Sequence, residues 1–409
     1  MHVAYIHQHF STPQGSTGTR SYEMGQRLLA AGHRVTIVCG VNPTTQACFQ
    51  LKGRETEQDI DGLRVICLAE PYANRMGFVR RVLAFGRFAR GARRIVDRLD
   101  ADLVFATSTP LTVGLPGKRS ARKHGVPFVF EVRDLWPEIP IALGIVRNPL
   151  LKAYLQHMER GIYRAAERII ALSPGMRDGI VSTGYPADSV VMIPNGCDLE
   201  LFKPDSAPLQ DSRFGDPNDF RLVYSGAMGQ VNGLDSVLHA ALLLKKRGIR
   251  GIRFCFIGDG SQRQALLTQV KQSGLQESTS WIEQMPKAEL ARILPRMDVG
   301  LMIFRNVPAF YYGTSPNKFF DYIACGLPVL NNYPGWIADM IGQNNCGAVV
   351  PPDDPEAFAD AVLDLYERRA DLPAMGARSR ALAERDFARD KLGAVFVRTL
   401  EEVRASWKK

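Results

Sequence analysis

With 409 residues, 45% of them hydrophobic and 23% charged, the chain exceeds one ordinary core and suits two domains of roughly 200 residues each. Low-complexity, collagenous and disordered classes are excluded, no apolar run approaches the ~18–20 residues of a membrane span, and seven scattered cysteines without C-x-x-C spacing speak for a reducing cytosol. The net charge of +9 is uneven: residues 1–205 carry 26 Lys+Arg against 19 Asp+Glu, and residues 206–409 carry 25 against 23, so an acidic partner is expected on the first half.

In chain order, short β-branched runs alternate with helical periods, the pattern of parallel α/β layers. The opening Met1–His7 reads as a strand, too short and too polar for a signal peptide. First-half strands are predicted at Val3–Ile6, Val35–Cys39, Leu63–Cys67, Leu103–Ala106, Phe128–Glu131, Arg168–Ala171 and Val190–Ile193. Helices are predicted over Arg20–Ala31, Gly77–Leu99, Leu151–Ala165 and Pro174–Ser182. Pro204, Pro208, Gly215 and Pro217 then break the rhythm, marking a linker. The pattern restarts with strands at Arg221–Tyr224, Phe254–Ile257, Thr279–Ile282, Val299–Ile303, Val329–Asn331 and Ala348–Val350. Helices over Pro355–Arg369 and Lys391–Ser406 close the chain. Two doubly wound domains bind ligands where strand ends face a crevice, so a central cleft is expected.

The first βα turn, His9–Arg20, holds Gly15 and Gly18 before a helix, a geometry that lets backbone approach a phosphate or sugar, with Arg20 adding charge. It is not G-x-G-x-x-G, and no acidic residue closes the second strand, which argues against a dinucleotide. The helix over 77–99 places Phe78, Val82, Phe85, Ala89, Ala92, Val96 and Leu99 on one face, and Arg80, Arg87, Arg94 and Arg98 opposite. Packing on a sheet with a solvated outer face and docking on an anionic membrane both fit this pattern. Nucleic acid fits less well, because no helix-turn-helix or RNA-binding signature accompanies the charge. After the strand ending at Glu131, Arg133, Asp134 and Glu138 surround Trp136. They read either as a capped loop packed by Trp136 and Pro137 or as a functional cluster in which Asp134 orients or deprotonates an acceptor hydroxyl or contacts a donor sugar. Ser173 reads as the N-cap of a helix starting at Pro174.

In the second half, Gly226, Gly258 and Gly260 mark turns after predicted strands, for which tight packing is the ordinary explanation. The segment Gly313–Leu330 runs from a small, polar lead-in to an apolar helix that stops at Gly326. A helix N-terminus seats phosphate, and Lys318 in its first turn is a cation wanting an anion beside it. Ser315 and Asn317 add polar groups at the helix start, and Asp321, one turn on, is placed to meet a ribose. An ordinary αβ unit is the competing reading.

This segment resembles the donor-site motif of the retaining family 4 glycosyltransferases, in which two glutamates eight positions apart flank the phosphate turn before Ala-x-Gly-x-Pro-Val. Asp321 stands at the second acidic position, followed in register by Ala324, Gly326, Pro328 and Val329; Gly313 stands at the first, without a carboxylate. The glycine loop and Arg133–Glu138 are similar to bacterial O-antigen and exopolysaccharide transferases of the N-acetylfucosaminyl type. Ala227 and Asn232 stand where the family usually supplies Arg and Lys to the donor pyrophosphate. The resemblance implies Lys318 as substitute, helped by Arg305 and the amides of Gly226, Ser315 and Asn317.

It further implies the GT-B architecture: a Rossmann-like acceptor-side domain over 1–203, a linker over 204–219, a donor domain over 220–388 and a helix over 389–409 returning to the first domain. The implied catalytic groups are Asp134 and Lys318. Gly18, Gly226, Gly258, Glu283, Gln284, Met285, Ser315, Asn317 and Asp321 would bind the donor, and Arg20, Arg133 and Glu138 would face the acceptor. The expected activity transfers a sugar, an N-acetylated or 6-deoxy hexosamine, from a UDP-sugar to a polyprenyl-diphosphate-linked glycan. No metal and no cofactor are expected, and the expected place is the cytoplasmic face of the membrane. A UDP-sugar epimerase of the same fold, a non-catalytic sugar-nucleotide binding protein and a transferase acting on a small soluble acceptor are the rivals.

Overall fold

A computed structural model describes residues 1–15, 18–41, 51, 53–70, 76–205 and 207–408, with the side chains of residues 78 and 79 left aside. Part of the expected glycine loop (residues 16 and 17), Phe78 of the expected apolar face and Cys48 lie outside that description. The chain divides into two compact units. One comprises Met1–Pro194, Gly313–Ser315 and Asp390–Lys409, the other Asn195–Tyr312 and Pro316–Arg389.

The first unit is built on β1 (His2–Ile6), β2 (Arg34–Gly40), β3 (Glu55–Ile60), β4 (Leu63–Leu68), β5 (Leu103–Thr107), β6 (Phe128–Val132), β7 (Arg168–Ala171) and β8 (Val190–Met192). Their order is β3-β4-β2-β1-β5-β6-β7-β8, parallel except for β3, which pairs antiparallel with β4. The sequence Glu55-Thr-Glu-Gln-Asp-Ile60 carries too many charges to read as a strand. It is one because it lies at the sheet edge, where charged residues are tolerated and guard against further pairing. Helices α1 (Arg20–Ala30), α2 (Phe78–Val96), α3 (Gly114–His124), α4 (Glu138–Ala142), α5 (Pro149–Tyr163) and α6 (Pro174–Ser182) connect the strands. Ser173 caps α6 by accepting from the Met176 amide at 3.2 Å with Pro174 at the first helical position; such a cap contributes about 1 kcal/mol.

In α2 the buried face is Phe85, Phe88, Ala92, Ile95 and Val96. Val82, expected on that face, is 51% exposed instead: it sits at the margin of the apolar stripe, in the first turns of the helix.

The second unit has β9 (Phe220–Ser225), β10 (Ile252–Ile257), β11 (Thr279–Ile282), β12 (Val299–Met302), β13 (Val329–Asn331) and β14 (Gly347–Val349), all parallel, in the order β11-β10-β9-β12-β13-β14. Helices α7 (Asp235–Lys246), α8 (Arg263–Ser273), α9 (Lys287–Ile293), α10 (Asn317–Ala324), α11 (Trp336–Asn344), α12 (Pro355–Glu367) and α13 (Leu372–Asp386) cover it. The stretch expected as a linker over 204–219 is corrected: Leu209 and Phe214 are buried in the same core cluster of this unit as Phe202, because large apolar groups gain more by packing than by solvation even in a Pro-rich segment.

The last helix, α14 (Arg389–Ser406), sends Leu392, Phe396, Leu400 and Val403 into the core of the first unit. Phe396 meets Phe105 of β5 edge-on, with ring centroids 5.1 Å apart, and the Trp407 indole donates to the Gly125 carbonyl at 3.0 Å.

Candidate active site

The expected site residues fall into two groups, one at the strand ends of each sheet. In the first unit β1, β5 and β6 are neighbours, and polar residues follow each of them. His7 continues β1, its amide donating to the Val38 carbonyl at 3.0 Å. Arg133, just past β6, reaches His7 Nε2 with Nη1 at 3.1 Å, while Ser21 Oγ lies 2.9 Å from His7 Nδ1. Arginine can only donate, so Nε2 accepts and the proton sits on Nδ1, donated to Ser21. Burial, then the Arg133 charge, keeps His7 neutral by lowering its pKa well below the usual value, and the same causes bring His9 down to about 4. The Arg133 amide donates to Ser108 Oγ at 2.9 Å, so both ends of this residue are positioned.

Asp134 follows directly. Burial raises its carboxyl to about 6 against the pull of Arg133 and of Thr109, whose Oγ1 lies 3.5 Å away. A carboxyl with that pKa beside a fixed cation can hold or accept a proton near neutral pH. Glu138 is exposed at the start of α4, where its charge adds to the burial that pushes Glu159 up to about 7.

Arg20 is not where it was expected. Its Nε and Nη2 both bond Glu131 Oε2, at 2.9 and 2.7 Å, and Nη1 and Nη2 donate to the carbonyls of Pro194 and Ile193 at 2.7 and 2.8 Å. Thr107 Oγ1 takes the other Glu131 oxygen at 2.7 Å. Burial would raise the Glu131 carboxyl, yet Arg20 holds it below its ordinary value. A carboxylate with no exposure needs such a partner, so Arg20 is a buried tie among α1, β6 and the exit of β8. Gly18 is half-buried two residues before α1.

In the second unit the strand exits are glycine for a steric reason. Gly226 and Gly258 have φ of 139° and 143°, and a Cβ on Gly258 would lie 2.1 Å from the Gly226 carbonyl oxygen. A Cβ on Gly260 would lie 2.4 Å from the Met228 carbonyl oxygen. The loops after β9 and β10 therefore touch backbone to backbone. Their amides are used within the sheet: Gly226 N donates to Ile257 O at 2.9 Å and Gly258 N to Ile282 O at 3.0 Å. The expected donation from Gly226 to a phosphate is corrected accordingly.

Lys318 lies in the first turn of α10, which starts without a side-chain cap and has no acidic residue in that turn. Its Nζ stands 3.9 Å from the centroid of the Tyr224 ring, and no carboxylate pairs with it among the described residues. Burial pushes the ammonium down to about 7. Gly226 makes room for it, since a Cβ there would lie 3.2 Å from Lys318 Cε. Ser315 and Asn317 flank the helix start, both half-buried. Where the family resemblance would have placed cations, the loop is closed by neutral bonds: the Ala227 carbonyl accepts from Tyr224 OH at 2.6 Å and from Asn232 Nδ2 at 2.8 Å. Arg305 is exposed, its amide bound to the Val231 carbonyl at 2.9 Å.

Asp321 departs from expectation. It is buried, and Lys287 Nζ lies 3.3 Å from its Oδ1, so this carboxylate is matched by a cation of its own unit rather than left for a ribose. Glu283, Gln284 and Met285 line a cavity of about 500 Å³ together with Trp281, Glu289 and Arg213. Trp281 stacks on Phe256 with centroids 4.3 Å apart, and Arg213 is held by Asp211 at 2.7 Å. This open pocket, edged by Arg213, Glu283, Gln284 and Glu289, is large enough to take a heterocycle.

Sequence reasoning missed His7, His9, Ser21 and Tyr224. Two histidines spaced i, i+2 at the end of the first predicted strand were the available signal, because polar groups at a strand's C-terminal end face the ligand side of such sheets.

Two family descriptions match the chain: "Glycosyl transferase 4-like domain" over residues 15–196 and "Glycosyl transferases group 1" over residues 219–368. The chain is similar to the amylovoran biosynthesis glycosyltransferase AmsK of Erwinia amylovora, 23% identical over 59% of this chain and 58% of that protein. Among solved structures, sucrose-phosphate synthase of Thermosynechococcus elongatus matches with a TM-score of 0.75 at 17% identity, covering 99% of each chain. HepE of Anabaena in complex with UDP-glucose matches with a TM-score of 0.69 at 14% identity, covering 98% of this chain and 100% of that one. With both Rossmann-like units matched by glycosyl transferase family descriptions, this chain belongs to the GT-B glycosyltransferases, with a 4-like first domain and a group 1 second domain.

Proposed function

We propose that the enzyme is a retaining transferase that moves a sugar, an N-acetylated or 6-deoxy hexosamine, from a UDP-sugar to a polyprenyl-diphosphate-linked glycan in surface polysaccharide synthesis. The observation that carries the donor half is Lys318: a cation resting on an aromatic ring without a carboxylate, beside a helix N-terminus, is set to receive a diphosphate. The slot at Glu283–Met285 takes the base, and the UDP-glucose complex of HepE supports uridine as the nucleoside.

On this reading the bond from the anomeric carbon to the diphosphate breaks as Lys318 and the amides at the start of α10 stabilise the departing charge, the effect that contributes most to lowering such a barrier. Asp134 holds the acceptor hydroxyl and takes its proton, with Arg133 fixed beside it by His7 and Ser108. No metal or cofactor takes part in these steps. The link to surface polysaccharide draws support from the likeness to an amylovoran biosynthesis enzyme. The lipid-linked acceptor draws support from the arginine-rich α2, and it implies work at the cytoplasmic face of a membrane.

A second reading is favoured by one feature: the neutral closure of the loop at Ala227 and Asn232, which suits a protein that binds a sugar nucleotide without turning it over. UDP release from a panel of UDP-sugars, with and without membrane-extracted polyprenyl-diphosphate glycans, separates the two. Release requiring one donor and the lipid fraction establishes the transferase. UDP binding without release under any pairing establishes the second reading, and a UDP-sugar that changes configuration alone establishes an epimerase.

A further inference from the structure

Two helices of the first unit, α2 and α5, carry large apolar side chains on the side facing away from the core. On α5, Leu150 and Tyr154 are 80% and 63% exposed, one turn apart, with Ile145 just upstream at 61%; the buried side of this helix is Glu159, Ile162 and Tyr163. On α2, Leu83 is 54% exposed. It falls within the stripe Arg80, Arg87, Arg90 and Arg94, opposite Phe88, Ala92 and Ile95.

Both patches lie toward one edge of the sheet. Helix α2 follows β4 and α5 follows β6 through α4, and β4 and β6 run parallel with β1. The starts of both helices therefore lie at the strand-end edge that carries His7 and Asp134. Helix α3, packed against both, completes the layer.

The electrostatics select the occupant. Helix α2 contains six arginines and no acidic residue, and Arg80, Arg90 and Arg94 make no ion pair among the described residues, whereas Arg87 pairs with Glu70 at 2.7 Å. Exposed Arg147 and half-buried Lys152 flank the α5 patch. A second copy of this chain would set arginine stripe against arginine stripe across a two-fold axis, which like-charge repulsion opposes. Apolar side chains interleaved with unpaired arginines match a lipid surface, where the arginines meet phosphates and the apolar groups enter the headgroup boundary.

We infer that Leu83 on α2 and Ile145, Leu150 and Tyr154 at the start of α5 are the insertion points of an anionic-bilayer docking surface, with Arg80, Arg90 and Arg94 supplying its charge preference. The surface presents the Asp134 edge to the bilayer, and so deepens the lipid-linked acceptor reading while its test requires no acceptor.

The test is flotation of the full chain with phosphatidylcholine vesicles, with and without phosphatidylglycerol. The wild type is expected to float only when phosphatidylglycerol is present. Arg80→Ser, Arg90→Ser and Arg94→Ser should each lower partitioning roughly fivefold. The set Leu83→Ser, Leu150→Ser and Tyr154→Ser should abolish flotation with an unchanged melting temperature, since these side chains face solvent. A wild type that does not float, or an apolar set that floats like the wild type, overturns the inference. So does a wild-type dimer in sedimentation that the apolar set converts to monomer, or binding to an acidic protein but not to vesicles. Transfer to a detergent-solubilised lipid acceptor separates the outcomes: if it persists while flotation fails, the docking surface is wrong and the function stands.

Discussion

Replacing Lys318 by glutamine tests the donor site most directly, because it removes the charge and keeps most of the side chain's bulk over Tyr224. At ~4 Å and an effective dielectric near 20, a full charge pair is worth about 4 kcal/mol; hydrogen bonds to charged groups are worth about 1.5–3 kcal/mol net. UDP binding at pH 7 should therefore weaken by about 10- to 150-fold. The pH dependence sharpens the test. Burial leaves the ammonium with a pKa of about 7 in the free protein, and a bound diphosphate would raise it, so binding takes up a proton above pH 7. Between pH 7 and 8.5, above the ~6 of a terminal phosphate, wild-type affinity should fall about 15-fold while Lys318→Gln stays flat. Titration calorimetry in two buffers of different ionisation heat reads the affinity and the proton together. Turnover should fall further than binding, by about 10²–10³, because charge on the leaving group grows in the transition state. Equal UDP affinity and no proton uptake in wild type and variant would refute the assignment, and unchanged turnover would remove Lys318 from the chemistry.

Other consequences follow from the same geometry. Arg20→Met should cost about 3–5 kcal/mol in urea unfolding by leaving Glu131 buried without its partner, and adding Glu131→Gln should recover much of that loss; equal midpoints for single and double variants would contradict the pairing. Burial raises Asp134 to about 6 in the folded chain, so transfer by its carboxylate should fall as pH drops through about 6, and Asp134→Asn should be slower by about 10² or more without that limb. Because this folded pKa lies above the unfolded one, the same group should make the wild type lose stability as pH rises from about 4 to 6, and a thermal-melt series against Asp134→Asn reads the difference. Gly258→Ala should destabilise by at least about 2 kcal/mol, since its Cβ would lie 2.1 Å from the Gly226 oxygen. Gly248→Ala, with φ of 75° and nothing within 4 Å, should cost only about 1 kcal/mol; similar melting temperatures for these two variants would sink the contact argument.

Much of the architecture can be read before any coordinates. The alternation of β-branched runs with helical periods locates parallel strands such as Thr279–Ile282 and Val329–Asn331 to the residue, because short runs of strand-favouring residues between turn and helix signals have few other ways to be buried. Ser173 before Pro174 marks a helix start, since capping is local chemistry between residues three apart. The charged edge strand Glu55–Ile60 escapes the same reading, because its partner β4, rather than its own pattern, makes it a strand.

For the candidate site the division is sharper. The sequence alone determines that a cation stands in the first turn of α10 and that polar residues follow the strands ending near Ile6 and Val132, because these are statements about neighbours along the chain. Which charges are available is decided only by tertiary structure. Arg20 meets Glu131, 111 residues away, and Asp321 meets Lys287, 34 residues away, so two groups that look like ligands for substrate are matched internally. His7 meets Arg133 across 126 residues and Lys318 settles on Tyr224. A buried charge must find its partner within a few ångströms or give up its charge, and distances of that order between remote residues are set by the packing of the sheets.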